Sequence, residues 1–126
     1  MKKISSIMLS ILIISALILS GCGSTSASSS TSTPGIKIGI VQIVEHPSLD
    51  AARNGFLDAL AENGYKEGEN LVVNYENAQG DIPTLNSIAQ SLADDEYNLI
   101  LAIATPSAQA VANATKNTSI PVLFTA

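Results

Sequence analysis

Between residues 36 and 126, short β-branched runs alternate with longer stretches whose apolar residues recur at helical spacing. The first run, residues 36–44, is mostly apolar, which predicts a strand buried on both faces, as in a parallel sheet. Further strands are predicted at residues 71–77, within residues 98–104 and at residues 120–124.

A helix is predicted in each gap between these strands. Gly64 marks the end of the first helix, and Asp81 is suited to cap the second, with Pro83 in its first turn. The third is predicted from Pro106 to about Lys116. The positions expected to face the sheet are Leu49, Ala52, Phe56, Leu60 and Ala61 in the first helix, Leu85, Ile88, Ala89 and Leu92 in the second, and Ala108, Val111 and Ala112 in the third.

This alternation predicts an α/β fold, an open parallel sheet of flavodoxin type with right-handed crossovers. A strand order of 2-1-3-4 would make the first and third strands neighbours. The sequence stops directly after the fourth strand, without a closing helix. We therefore expect residues 36–126 to be the N-terminal part of a larger domain.

The N-terminal residues predict an export signal. Lys2 and Lys3 precede an apolar stretch at residues 7–19, an order typical of secretory signals. That stretch is shorter than the roughly 20 residues needed to cross a bilayer. It ends in Leu-Ser-Gly-Cys at residues 19–22, which resembles the lipobox of bacterial lipoproteins and predicts lipidation of Cys22 after removal of residues 1–21. An ordinary signal peptide with an incidental cysteine is the alternative.

Residues 22–35 follow as a predicted tether. They are dominated by Ser and Thr, which bury too little apolar area to offset the entropy lost on ordering. The predicted organisation is thus a signal peptide, a lipid-anchored tether and, from residue 36, a domain held at the outer face of a bacterial cell membrane.

The composition excludes several classes of function. A single Cys cannot form an internal disulfide, and one Cys with one His cannot supply a four-ligand zinc site. The formal net charge of −5 and the scattered Lys and Arg argue against nucleic-acid binding. No cofactor is expected.

Ligands of open α/β sheets bind beyond the carboxyl ends of the strands. That rule selects His46 after the first strand, Gln79 after the second, and Thr105 and Ser107 after the third. Thr105 as N-cap would leave the N–H groups of Ser107 and Ala108 free to bind an anion such as a carboxylate. Each residue also has a structural interpretation: a capped helix start, a turn, or a solvated loop histidine.

Enzymes of this topology fit less well. The loop after the first strand lacks the glycines of a phosphate-binding loop. A phospho-receiver needs an acidic pair in that loop and an Asp ending the third strand, whereas Glu45 stands alone and the third strand leads into Ala104 and Thr105. A surface-anchored flavodoxin-like enzyme and a non-binding sensory or vestigial fragment remain as alternatives.

Three blocks carry a resemblance to a known family. They are residues 38–53 with the His-Pro loop, the Asn-Ala-Gln-Gly-Asp loop at residues 77–81, and the Ala-Thr-Pro helix start within residues 103–110. Together they resemble ABC-transporter substrate-binding lipoproteins related to tryptophan- and tyrosine-binding proteins.

The resemblance implies a periplasmic-binding-protein fold, with a ligand held between two similar lobes, and this chain matches the first part of the first lobe. It further implies a small ligand such as an aromatic amino acid, permease and ATPase partners, and no catalysis. Ligand contacts are implied at His46, Gln79, Thr105 and Ser107.

Overall fold

The computed structural model describes residues 35–125, and the predicted signal peptide, Cys22 and most of the tether lie outside them. The elements follow one another as β1 (Ile36–Gln42), α1 (Pro47–Glu62), β2 (Leu71–Asn77), α2 (Ile82–Asp94), β3 (Leu99–Ile103), α3 (Thr105–Ala114) and β4 (Val122–Thr125). Among the described residues, no helix is long and apolar enough to cross a membrane.

The four strands form one parallel sheet in the order β2-β1-β3-β4, which confirms the predicted topology. The central strand β1 pairs along its whole length with β2, and residues Ile38 to Gln42 pair with β3. At the carboxyl end, Gln42 is paired with Asn77 on one side and with Ile103 on the other. Three loops therefore leave the sheet from one row of paired residues.

Alternate residues of the strands build two cores. On one face, Val41, Ile100 and Ala102 pack with apolar residues of α2 and α3. On the other face, Ile38 and Ile40 pack with Leu101, Ile103 and partly buried residues of α1. No residue of α1 is fully buried, so this helix covers its face of the sheet less completely than α2 covers the other.

The first and second helices begin with side-chain caps, and only the cap of the second was predicted. Asp81 accepts a hydrogen bond from Thr84 N–H at 2.8 Å, as predicted, and hydrogen bonds from Thr84 hold the pKa of Asp81 below its ordinary value of 3.8. His46 caps α1, where its Nδ1 accepts from Ser48 N–H at 3.3 Å. Both caps satisfy backbone donors that a helix start leaves without partners.

Gly39 permits the close approach of α2 to β1. A Cβ atom at this position would lie 3.0 Å from Leu92 Cδ2 and 3.4 Å from a ring carbon of Tyr97. Leu92 and Tyr97 are both buried, so neither can move aside without disturbing the core. A side chain at residue 39 would therefore separate the helix from the sheet.

The structure corrects some details of the sequence interpretation. β1 ends at Gln42 rather than residue 44, because the chain turns toward α1 from Ile43 onward. Ala61 and Ala112 are exposed, while Leu57 and Ala110 contact the core in the first and third helices. Ala61 and Ala112 each follow a residue that contacts the core, Leu60 and Val111, so the sequence did not mark the edge of the apolar stripe.

The backbone between β3 and α3 is strained. Ala104 has φ 76° and ψ 153°, close to a region that glycine occupies almost alone. A non-glycine residue in such a conformation costs about 1–3 kcal/mol, which the surrounding structure must offset. The strained residue lies directly at the start of α3, on the edge of the sheet where ligands of this fold class bind.

Ala104→Gly should therefore stabilise the chain. Removing Cβ relieves the backbone strain, which stabilises the folded chain. Glycine also has more conformational entropy in the unfolded chain, which offsets part of this gain. The net free energy of unfolding should rise by about 1 kcal/mol. Ala112→Gly, at an exposed position inside α3, is the matched control and should lower it by about 0.5–1 kcal/mol. Urea unfolding of both variants measures the difference, and a loss of stability in both would show that Ala104 is not strained.

Candidate functional site

The candidate site is the carboxyl edge of the sheet, where the loops after β1, β2 and β3 lie side by side. The β2–α2 loop is tied to the end of β1 by two hydrogen bonds: Ala78 N–H donates to Gln42 O at 3.0 Å, and Gly80 N–H donates to Ile43 O at 2.7 Å. These bonds fix the position of Gln79, whose φ is 53°. The loops carrying His46 and Gln79 thus form one connected rim.

His46 is exposed on this rim and its ring orientation is fixed. Its Nδ1 accepts from Ser48 N–H and lies 2.8 Å from Ser48 Oγ. With Nδ1 acting as acceptor, the proton of the neutral ring resides on Nε2. The ring therefore presents a donor, and no described residue accepts a hydrogen bond from it.

Gln79 is exposed beside the end of β1. Its backbone N–H donates to Asn77 Oδ1 at 2.7 Å, which closes the turn and leaves its side-chain amide without a described partner. Gln79 and Asn77 line a shallow depression of about 330 Å³ together with Val44 and Glu45. This depression lies between the β1 and β2 loops.

The start of α3 differs from the predicted arrangement. The N-cap is Ala104, not Thr105, and no side chain caps this helix. Ala108 N–H is also not free, because it donates to Ala104 O at 3.0 Å. The predicted N-cap was wrong because the chain turns into the helix one residue early, at the strained Ala104. Within the described residues, the N–H of Thr105 has no acceptor, so an unpaired donor does exist here.

Thr105 and Ser107 have different environments. Thr105 is exposed and lines a second depression, of about 650 Å³, which extends along α3 toward Phe124 on β4. Ser107 has no exposed surface, and its Oγ is buried without a hydrogen-bond partner among the described residues. A buried hydroxyl without a partner costs about 1–3 kcal/mol. In this conformation His46, Gln79 and Thr105 are exposed and Ser107 is buried, and Thr105 lines a different depression from Gln79.

A buried polar network supports the rim from below. Gln42 is fully buried, and its Nε2 donates to Val44 O at 2.7 Å and to Asp50 Oδ1 at 2.9 Å. The guanidinium of Arg53 lies 3.5 Å from Asp50 Oδ1, 3.5 Å from Gln42 Oε1 and 4.2 Å above the Tyr75 ring. Gln42 thereby fixes both the first turn of α1 and the loop that precedes it.

Sequence reasoning missed this network. The one signal for it was a glutamine within a strand predicted to be buried on both faces, followed by an acidic and a basic residue one helical turn apart. Buried amides need partners, so the sequence implied that some existed but not which ones.

Comparison with known proteins identifies related sequences and structures. The chain is 46% identical over 132 residues to a tyrosine-binding protein of Clostridioides difficile strain R20291, and the match covers 99% of this chain and 37% of that protein. A ligand-free, open substrate binding protein with adhesive properties from Clostridium difficile is similar in structure, with a TM-score of 0.69 and 56% identity over 72% of this chain and 30% of that one.

Two further solved structures are similar. One is a conserved domain protein from Vibrio cholerae, with a TM-score of 0.69 and 44% identity over 72% of this chain and 30% of that one. The other is an ABC domain in complex with L-Trp from Streptococcus pneumoniae, with a TM-score of 0.67 and 37% identity over 73% and 30%.

The chain covers 37% of the length of the tyrosine-binding protein and 30% of the length of each of the three solved structures. The family model described as "ABC transporter substrate binding protein" matches residues 37–126, almost all of the described fold. This chain therefore belongs to the ABC transporter substrate-binding protein family.

Proposed function

We propose that this chain forms one wall of the ligand site in an extracytoplasmic solute-binding component of an ABC importer, and that the ligand is an aromatic amino acid. The ligand class is supported by the tyrosine-binding relative and by the L-Trp complex of a similar structure. The proposed activity is capture and delivery to permease and ATPase partners, with no chemical change to the ligand.

The assignment of the site rests on one observation, namely that α3 begins without a side-chain cap. The other two helices have capped starts, at His46 and Asp81. An uncapped helix start offers N–H donors and a partial positive charge, both of which favour a carboxylate. We infer that the carboxylate of the amino acid supplies the missing acceptor at Thr105.

The four predicted contacts have different roles in this proposal. Thr105 offers an N–H and a hydroxyl to the carboxylate, while His46 Nε2 and the Gln79 amide offer hydrogen bonds from the neighbouring loops. Ser107 has no exposed surface, so its hydroxyl can meet the ligand only if the first turn of α3 moves when the site closes. Burial of this hydroxyl without a hydrogen-bond partner destabilises the chain, and a hydrogen bond to the ligand would remove that penalty.

The site can be tested in a fusion protein that contains both walls and should therefore bind its ligand strongly enough to measure. It joins this chain, at its last residue, to the part of the C. difficile tyrosine-binding protein that the match does not cover. Ligands enclosed between walls owe their affinity to burial of most of their surface, so both walls are needed. Binding of L-tyrosine or L-tryptophan to the folded fusion protein, measured by calorimetry, is the expected result. If neither amino acid binds to the folded fusion protein, the proposed function is contradicted.

Thr105→Val in the fusion protein should weaken L-tyrosine binding about tenfold, because it removes a hydroxyl that donates to a carboxylate. It should leave the melting temperature nearly unchanged, because this hydroxyl caps nothing. Thr105→Ser keeps the hydroxyl and is the matched control, with affinity expected within about twofold of the parent. Equal affinity of the valine and serine variants would place the carboxylate elsewhere.

We also propose that the chain is anchored to the membrane through Cys22, which rests on the sequence alone. Labelled palmitate should enter the protein expressed in a bacterium and should not enter Cys22→Ala. Ser20→Ala retains a small residue before the cysteine and should still be labelled. Equal labelling of the parent and Cys22→Ala would exclude lipidation at this residue.

A further inference from the structure

We propose that Arg53 is a positioning residue for the ligand site, an inference that rests on the proposed function. Arg53 lies in the second turn of α1, and 20% of its side chain is exposed. It contacts side chains that hold two different loops, the one that carries His46 and the one that carries Gln79.

The first set of contacts leads to the loop after β1. Arg53 Nη1 lies 3.5 Å from Asp50 Oδ1 and 3.5 Å from Gln42 Oε1. Gln42 Nε2 in turn donates to Asp50 Oδ1 at 2.9 Å and to Val44 O at 2.7 Å. Because Asp50 belongs to the first turn of α1, which His46 caps, the same contacts hold the start of the helix.

Arg53 also compensates the charge of Asp50, whose side chain is 31% exposed. Burying a carboxylate without a cation is unfavourable, so we expect Asp50 to turn toward water when Arg53 is removed. Gln42 would then lose the contact that joins it to α1, and the loop would lose part of its support.

The second set of contacts leads to the loop after β2. The guanidinium carbon of Arg53 lies 4.2 Å from the centre of the Tyr75 ring, a distance at which a cation is attracted to the ring face. Tyr75 Oη accepts a hydrogen bond from Asn77 Nδ2 at 3.2 Å. Asn77 Oδ1 accepts from Gln79 N–H at 2.7 Å. The position of the Tyr75 ring therefore affects the turn at Gln79, and Arg53 covers that ring.

One side chain thus contacts the supports of both loops. The loops are also joined directly, because Gly80 N–H donates to Ile43 O at 2.7 Å. Loops that are ordered before the ligand arrives bind it with a smaller entropic cost. We therefore expect Arg53 to strengthen ligand binding without touching the ligand, by keeping His46 and Gln79 in place.

The chain contains a second cluster of the same composition at the other end of the sheet. Lys37 Nζ lies 3.0 Å from Asp95 Oδ2 and 4.4 Å from the centre of the Tyr97 ring. Lys37 is at the amino end of β1, whereas Arg53 contacts Gln42 at its carboxyl end. The two clusters differ in position rather than in chemistry, so Lys37→Met is a matched control for Arg53→Met.

The test measures hydrogen exchange and L-tyrosine binding in the fusion protein. Arg53→Met should quicken exchange of the Ser48 and Gly80 amides by about tenfold or more, since these groups donate hydrogen bonds within and between the two loops. L-tyrosine binding should weaken about fivefold, because apparent affinity falls with the fraction of molecules whose loops are in the binding arrangement. Exchange of the Leu101 amide, in the buried strand β3, should change much less.

Three further variants separate positioning from a general loss of stability. Arg53→Lys keeps the positive charge and should recover most of both losses. Lys37→Met should change neither loop exchange nor L-tyrosine affinity. Tyr75→Phe keeps the ring but removes the hydroxyl acceptor, so it should quicken exchange of the Gln79 amide and leave that of Ser48 unchanged.

The outcomes distinguish this inference from the proposed function. If Arg53→Met leaves both loop amides unchanged, or quickens exchange of Leu101 to the same extent, the assignment of Arg53 is wrong while the proposed function stands. The assignment is equally wrong if the loops exchange faster and L-tyrosine binds as it does to the parent. If the parent fusion protein is folded by circular dichroism and binds no aromatic amino acid, the proposed function itself fails.

Discussion

Parallel pairing of β1 with both β2 and β3 is the constraint on which the rest of the structure depends. Parallel neighbours require crossover helices, and these bury both faces of β1. The same pairing aligns the strand ends, because Gln42 is in register with Asn77 and Ile103. Three polar loops therefore emerge together at one edge, although their residues are far apart in sequence. The site is a consequence of the register rather than of any single motif.

Much of the fold could be predicted from the sequence because local signals agreed with one another. The β-branched runs indicated the strands. Asp81, followed two residues later by Pro83, indicated the start of α2. The structure of the α3 start could not be predicted in the same way. Thr105 before Pro106 has the local chemistry of a cap, yet the helix begins at Thr105 with Ala104 as its N-cap in a strained conformation. Ala104 is held by tertiary bonds such as Ala104 N–H to Thr125 O, which no local pattern reveals.

The placement of the candidate residues was predicted in part, and their role as ligand contacts stays a prediction. The rule for open α/β sheets brought His46, Gln79 and Thr105 to the same exposed edge. The burial of Ser107 was not foreseen, because the helical stripe of α3 consists of small residues whose inward side is ambiguous. The network around Gln42 was also missed, since the partners of its buried amide lie in the following loop and in α1. Both failures concern contacts between elements, where sequence patterns carry little information.

The uncapped start of α3 and the strained Ala104 are local costs that the other two helix starts do not carry. Proteins tolerate such costs at binding sites, where a ligand completes what the chain leaves unpaired. The chain spans about a third of the length of these relatives.

The central claim is that this rim receives the ligand, and a crystal structure of the fusion protein with bound L-tyrosine tests it most directly. The account predicts a ligand carboxylate oxygen within hydrogen-bond distance of the Thr105 N–H at the start of α3. A bound ligand whose carboxylate contacts only residues outside this chain, with the α3 start still facing solvent, would contradict it.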